Sequence, residues 1–281
     1  NVEEKLRGCI PGEEGGDWRV LSIFGSSGSG KTTLAQDTVR WMWDLYEKGC
    51  GDDRKEDNAG IPFVPLFAAL PSIKDPQEDL VEKVLKKYGV KNEDDIEILK
   101  GEVPLLILLD GYDEIADQRD FYTQITEDAD DEWDAERIKI IYTYRYQFVN
   151  EDEMRLKIRP LDKPDCYKEL WLAPFNDEQI ETYIKRLILL KERKEEGREI
   201  QDSNEGKTNL TNVAEEEAKQ LLSRIRRVKG LENLITQPLL LLMIIRVLES
   251  LEGEQDRREM SRLVLYEVFT EDYFKRAYKK T

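Results

Sequence analysis

The sequence predicts an α/β domain on a mainly parallel sheet, followed by a small all-α helical domain. Three observations carry that expectation. Short apolar runs alternate with helical stretches as far as Leu172, no strand-like run follows Asn176, and a glycine-rich octamer, Gly25 to Thr32, joins the first apolar run to the first helical stretch. Strand and helix in alternation is the rhythm of βαβ units, whose crossovers lay strands side by side in parallel.

The elements follow in order. Arg19 to Phe24 leads through the octamer into a helix over Thr32 to Tyr46, and Ile61 to Phe67 leads into a helix over Gln77 to Tyr88. Val103 to Leu109, Ile138 to Thr143 and Glu169 to Leu172 supply the remaining strands. Leu105 to Leu109 and Ile138 to Tyr142 are apolar with little alternation, the pattern of central strands covered on both faces. Helix is expected over Asp177 to Leu190, Val213 to Val228, Leu231 to Thr236, Pro238 to Leu251 and Arg257 to Lys279. Pro238 suits a first helical turn, where its missing N–H costs no hydrogen bond. The composition changes near Pro174, which sets the expected domains at residues 1–174 and 175–281. Three polar stretches, Lys48 to Gly60, Glu127 to Glu136 and Lys191 to Thr211, read as exposed, mobile loops.

Composition removes several function classes. Acidic residues outnumber basic ones 60 to 43, and the net charge of −17 disfavours nucleic acid and anionic lipid as partners. Cys9, Cys50 and Cys166 show no paired spacing, so neither a disulfide framework nor a zinc site is indicated. Histidine is absent, and acid–base chemistry therefore falls to carboxylates, Lys, Tyr or water. The longest apolar run, Pro238 to Ile245, is far short of the ~20 residues that span a bilayer, and no secretory signal opens the chain. The expectation is a cytoplasmic protein, and a start at Asn1 rather than Met suggests a piece of something longer.

The octamer Gly25-Ser26-Ser27-Gly28-Ser29-Gly30-Lys31-Thr32 has the form of a phosphate-binding loop between a strand and a helix. Its glycines let the backbone wrap an anion, and successive N–H groups with the positive end of the helix hold phosphates. Lys31 would reach the β- and γ-phosphates, the Thr32 hydroxyl would ligate Mg²⁺, and Thr33 closes the nucleotide-binding set at the helix start. Asp110 ends the most apolar strand, where its carboxylate would join Thr32 in holding the metal. Asp113 and Glu114 follow three and four residues on; Asp113 is the favoured water-activating residue and Glu114 the next. Arg145 stands at the end of another strand, where its planar fork could stabilise a γ-phosphate or simply make a surface ion pair.

Together these pieces resemble the NACHT branch of the STAND NTPases, the nucleotide-binding module of NOD-like receptors. The matching residues are Gly25 to Thr32, Leu108-Leu109-Asp110-Gly111-Tyr112-Asp113-Glu114, and Thr143-Tyr144-Arg145. Leu172-Ala173-Pro174-Phe175 with Gln179 and Ile180, and Gln237-Pro238-Leu239, extend the likeness over nearly the whole chain. The resemblance implies a P-loop NTPase sheet of strand order 5-1-4-3-2, binding ATP or ADP with Mg²⁺, and a helical domain whose Pro238 contacts the adenine. It further implies slow ATP hydrolysis, an ADP-held closed monomer, self-association when ATP-bound, and fused effector and sensor domains outside this chain, in signalling or innate defence. Two other readings stand beside it: another P-loop ATPase of AAA+ type, and a non-catalytic scaffold that keeps nucleotide as a structural ligand.

Overall fold

A computed structural model describes residues 18–49, 63–115, 120–127, 133–134, 136–146, 157–159, 164–195, 204–250 and 262–278. The chain divides into two units, the first running through Leu172 and the second from Ala173.

In the first unit the apolar runs become five parallel strands: β1 (Val20–Gly25), β2 (Val64–Ala69), β3 (Leu105–Asp110), β4 (Ile138–Arg145) and β5 (Tyr167–Trp171). Their order across the sheet is β2-β3-β4-β1-β5, the expected order read from the other edge. β1 and β3 are buried along their whole length, as unalternating apolar strands must be when both faces are covered. One face, with Leu21, Ile23, Leu106, Leu108 and Ile141, packs on Ala35, Val39 and Met42 of α1 (Lys31–Gly49). The other, with Val20, Ile107, Leu109, Ile140 and Tyr142, packs on Leu80, Val81 and Val84 of α2 (Leu80–Lys87) and on Ile96 of α3 (Glu93–Glu102). Each such side chain withdrawn from water contributes about 1.5–3 kcal/mol, before the entropy of ordering is subtracted. The parallel register sets Gly25 opposite Arg145 and Asp110 opposite Thr143, so the carboxyl ends of β1, β3 and β4 share one edge.

Several elements depart from the sequence expectation. α3 and α4 (Phe121–Glu127) were not anticipated, because neither carries a sustained apolar period. Side-chain caps start them, and they are held by Ile96 of α3 and Phe121, Tyr122 and Ile125 of α4, which are buried in the core. The Asn92 side chain accepts from the Asp94 N–H at 3.3 Å, and Asp120 accepts from the N–H groups of Tyr122 (3.1 Å) and Thr123 (3.2 Å). Trp133, expected in an exposed loop, is 1% exposed and packs in the core, its backbone N–H donating to the Ile125 carbonyl at 3.1 Å. A single large ring can anchor an otherwise acidic stretch, and a composition average hides it.

The second unit is helical: α5 (Asp177–Glu195), α6 (Asn204–Arg227), α7 (Pro238–Ser250) and α8 (Arg262–Tyr278). Ile180, Ile184, Leu222, Ile225, Leu241, Ile244, Leu248 and Leu265 form its core. Asn176 and Gln179 make a reciprocal capping box at the start of α5, the side chain of each accepting from the other's N–H (2.8 and 3.0 Å). The expected loop from Lys191 to Thr211 is shorter than read, since α5 runs to Glu195 and α6 begins at Asn204. Leu231 to Thr236 forms turns rather than a helix. Gly230, at φ +88°, opens that segment, and Pro238 disfavours helical backbone in the residue before it. Most of the Lys48 to Gly60 stretch lies outside the described residues. Among the described residues no helix is long and apolar enough to cross a membrane.

Candidate functional site

The phosphate loop begins where β1 ends. Gly28 and Gly30 stand at φ +76° and +93°, backbone that a side chain would strain, and this lets the loop turn back toward the helix. A Cβ on Gly25 would come within 2.5 Å of the Ser29 Oγ and 3.2 Å of the Leu172 Cβ, so a larger residue there would force the Ser29 side chain to shift. That Ser29 hydroxyl is buried and has no hydrogen-bond partner among the described residues. α1 starts at Lys31, and the Leu34 N–H closes its first turn on the Gly30 carbonyl at 2.9 Å. The N–H groups ahead of that turn have no partner inside the helix, which makes the loop a place for an anion. Lys31 Nζ donates to the carbonyls of Gly25 (3.0 Å) and Ser26 (2.8 Å). Burial pulls its pKa below the ordinary lysine value, and the negative charge of Asp113 opposes that shift.

The acidic turn begins where β3 ends. The Thr32 hydroxyl donates to Asp110 Oδ2 at 2.8 Å, linking the first turn of α1 to the strand end. On its other oxygen Asp110 accepts from the Thr143 hydroxyl at 2.5 Å. Gly111, at φ +80°, turns the chain out of the strand into a 3-10 turn over Tyr112–Glu114. Tyr112 is buried against Tyr142 and Phe121, ring centroids 5.1 and 6.0 Å away, and this packing fixes the turn that carries Asp113 and Glu114.

Arg145 reaches across from β4 to that turn. Its backbone N–H donates to Asp113 Oδ1 at 3.0 Å, its Nε–H to Asp113 Oδ2 at 2.6 Å and its Nη2 to Glu114 Oε1 at 2.5 Å. The two carboxylates differ in setting. The Asp113 side chain is 3% exposed with both oxygens engaged by Arg145, whereas Glu114 is 46% exposed. The hydrogen bond to Asp113 raises the Arg145 pKa further, so the guanidinium is charged at any ordinary pH.

Lys31, Thr32, Asp110, Asp113, Glu114 and Arg145, picked from the sequence, thus converge at one edge of the sheet. Pro238 opens α7 in the second unit. Thr143 was read only as part of the Thr143-Tyr144-Arg145 string; its grip on Asp110 was missed. The signal was a hydroxyl two positions before Arg145, on the same face of a strand.

Thr32 Oγ1 and Asp110 Oδ2 are adjacent hard oxygen donors, a set that suits Mg²⁺. Among the described residues no group of three or more Cys, Asp or Glu could hold a metal alone, so a cation here would share its shell with phosphate and water.

Comparison with known proteins bears on the fold and the family. The sequence matches the NACHT domain family over residues 19–189. Among solved structures, the Aeropyrum pernix ORC2 protein (ADPNP-ADP complexes) aligns with a TM-score of 0.52 at 15% identity, covering 96% of this chain and 64% of that one. The chain therefore spans under two thirds of that protein, and the likeness is one of fold. C. elegans PCH-2 aligns over 92% of this chain and 61% of its own at 14% identity, with a TM-score of only 0.40. No curated protein matches the sequence.

Proposed function

The chain belongs to the NACHT domain family, and on that premise we propose that its first domain, residues 1–174, binds ATP or ADP with Mg²⁺ and hydrolyses ATP slowly. Residues 175–281 form the helical domain of the same module in this reading. The observation that carries it is the convergence of Lys31 and Thr32 on one side with Asp110 and Arg145 on the other, at the mouth of a glycine-turned loop.

The residues divide the work as follows. Loop N–H groups from Ser26 to Thr33 hold the phosphates, and Lys31 exchanges its two loop carbonyls for phosphate oxygens. Thr32 and Asp110 would hold Mg²⁺, which when bound offsets negative charge on the phosphoryl group. Glu114, the more exposed carboxylate, orients the water and takes its proton as the water oxygen bonds to the γ-phosphorus. The bond from that phosphorus to the β–γ bridging oxygen breaks, and its electrons leave on ADP. Asp113, which the sequence favoured for that task, has both oxygens engaged by Arg145 and serves to aim the guanidinium.

Nucleotide can act as a switch only through its different affinity for two states of the chain. In this reading ATP favours self-association, ADP favours the monomer, Pro238 contacts the base, and fused domains outside this chain carry the signal, in the cytoplasm, in signalling or innate defence. Thermal unfolding tests the binding claim. ATP and ADP should stabilise more than GTP at equal concentration, each by about 2.7 kcal/mol over the unliganded chain at a hundredfold excess over its Kd, and Lys31→Ala should remove the effect. No stabilisation by any nucleotide overturns the proposal.

The ion pairs favour one competing reading. With Arg145 held by both carboxylates, nucleotide could be a structural ligand without turnover. ATP turnover that is equal in the wild type and in Glu114→Ala would favour that scaffold.

A further inference from the structure

We propose that Thr143 is the positioning residue of the metal site, setting the carboxylate of Asp110 so that one oxygen faces Thr32 and the cation. The inference rests on the nucleotide-binding reading above and adds to it a residue that reading does not use.

Thr143 is 1% exposed and lies directly opposite Asp110 in the β3–β4 pairing. A hydroxyl carries one proton, and here that proton is donated to Asp110 Oδ1 at 2.5 Å. The same oxygen then accepts from the Gly111 N–H at 3.2 Å. These two contacts fix the direction of the hydroxyl, which cannot turn away without stranding a buried partner.

The consequence falls on Asp110. Rotation of a carboxylate about its last bond is broad and nearly unrestrained, so the side chain alone does not hold an oxygen toward the phosphate loop. Thr143, gripping the oxygen opposite the one that meets Thr32, sets the plane of the group. With Oδ1 held by Thr143, Oδ2 is the oxygen that meets the Thr32 hydroxyl at 2.8 Å. Asp110 is itself buried at the end of an apolar strand, so water is poorly placed to supply the same restraint. The Gly111 contact ties the start of the acidic turn to the same hydroxyl, so one side chain sets both the metal oxygen and the chain's exit from β3. Partners that hydrogen-bond a ligating carboxylate typically control metal affinity by roughly 10- to 100-fold.

The test uses the full chain, ADP, and Mn²⁺ as a spectroscopic substitute for Mg²⁺. Thr143→Val keeps the shape and removes the hydroxyl, whereas Thr143→Ser keeps the hydroxyl. Binding of Mn²⁺ to the ADP complex is followed by electron paramagnetic resonance, and binding of ADP in EDTA by calorimetry. The expected result is Mn²⁺ affinity weakened roughly 10- to 100-fold in Thr143→Val, wild-type ADP binding in EDTA, and recovery in Thr143→Ser. Wild-type Mn²⁺ affinity in Thr143→Val overturns the inference. So does an equal loss of ADP binding with and without metal, which marks a merely structural threonine. Should Thr143→Val not fold, Thr143→Ala is read by the same two measurements. A wild-type chain that binds ADP in neither condition overturns the nucleotide-binding reading itself, and this inference with it.

Discussion

Asp113 and Glu114 are adjacent in sequence and both touch Arg145, yet the proposed mechanism gives them different work, and two isosteric substitutions separate them. Asp113 is 3% exposed and accepts two hydrogen bonds from Arg145, at 3.0 Å from its backbone N–H and 2.6 Å from Nε. Asp113→Asn keeps an acceptor for the backbone N–H and loses the charged partner of the guanidinium. A hydrogen bond to a charged group contributes about 1.5–3 kcal/mol, and a domain of this size shifts by roughly 2–4 °C per kcal/mol, so Tm should fall by about 3–12 °C. Glu114 makes one contact to Arg145 at 2.5 Å and is 46% exposed. Exposed ion pairs contribute about 0–1 kcal/mol, and Glu114→Gln should therefore move Tm by less than about 4 °C. Turnover should show the reverse order. Glu114→Gln loses the roughly 10²- to 10⁴-fold contribution of a general base, whereas Asp113→Asn loses less. Scanning fluorimetry reads the first quantity and phosphate release the second. A Tm loss in Glu114→Gln equal to that in Asp113→Asn refutes the division, as does wild-type turnover in Glu114→Gln.

Two further outcomes are expected. Trp133→Ala should cost about 3–5 kcal/mol in urea unfolding, because the ring is wholly packed in the core; a loss under about 1 kcal/mol would show that the indole is dispensable there. Burial holds the Lys31 pKa below its ordinary 10.5 in the folded chain, so at alkaline pH the unfolded chain keeps a proton that the folded one has released. Stability then rises with pH in that window, and the wild type should gain on Lys31→Met as pH climbs from neutral toward 10.5; a flat or falling difference in urea midpoint refutes the shift.

Much of this molecule is legible one segment at a time. Unalternating runs such as Leu105 to Leu109 read as central strands because a strand covered on both faces has no polar side to show. Gly28 and Gly30 read as turns because their backbone region is one that other residues avoid. Strand order came from the family resemblance rather than from any run of residues. The misses share a cause: Ile96 of α3, Phe121 and Ile125 of α4, and Trp133 are buried in a core assembled from segments distant in sequence, and the short caps at Asn92 and Asp120 are weak signals alone.

The sequence by itself determined the elements of the sheet, the phosphate loop, and the candidate residues Lys31, Thr32, Asp110, Asp113, Glu114 and Arg145, because each rests on the conformational preferences of a few neighbouring residues. Only the tertiary structure decided how those residues share their bonds. Thr143 grips Asp110 across 33 residues of chain, and Arg145 takes both oxygens of Asp113 across 32. Such pairings depend on which strands lie side by side and in what register. Register is settled by burying two sheet faces at once, a property of the whole domain that no single segment encodes.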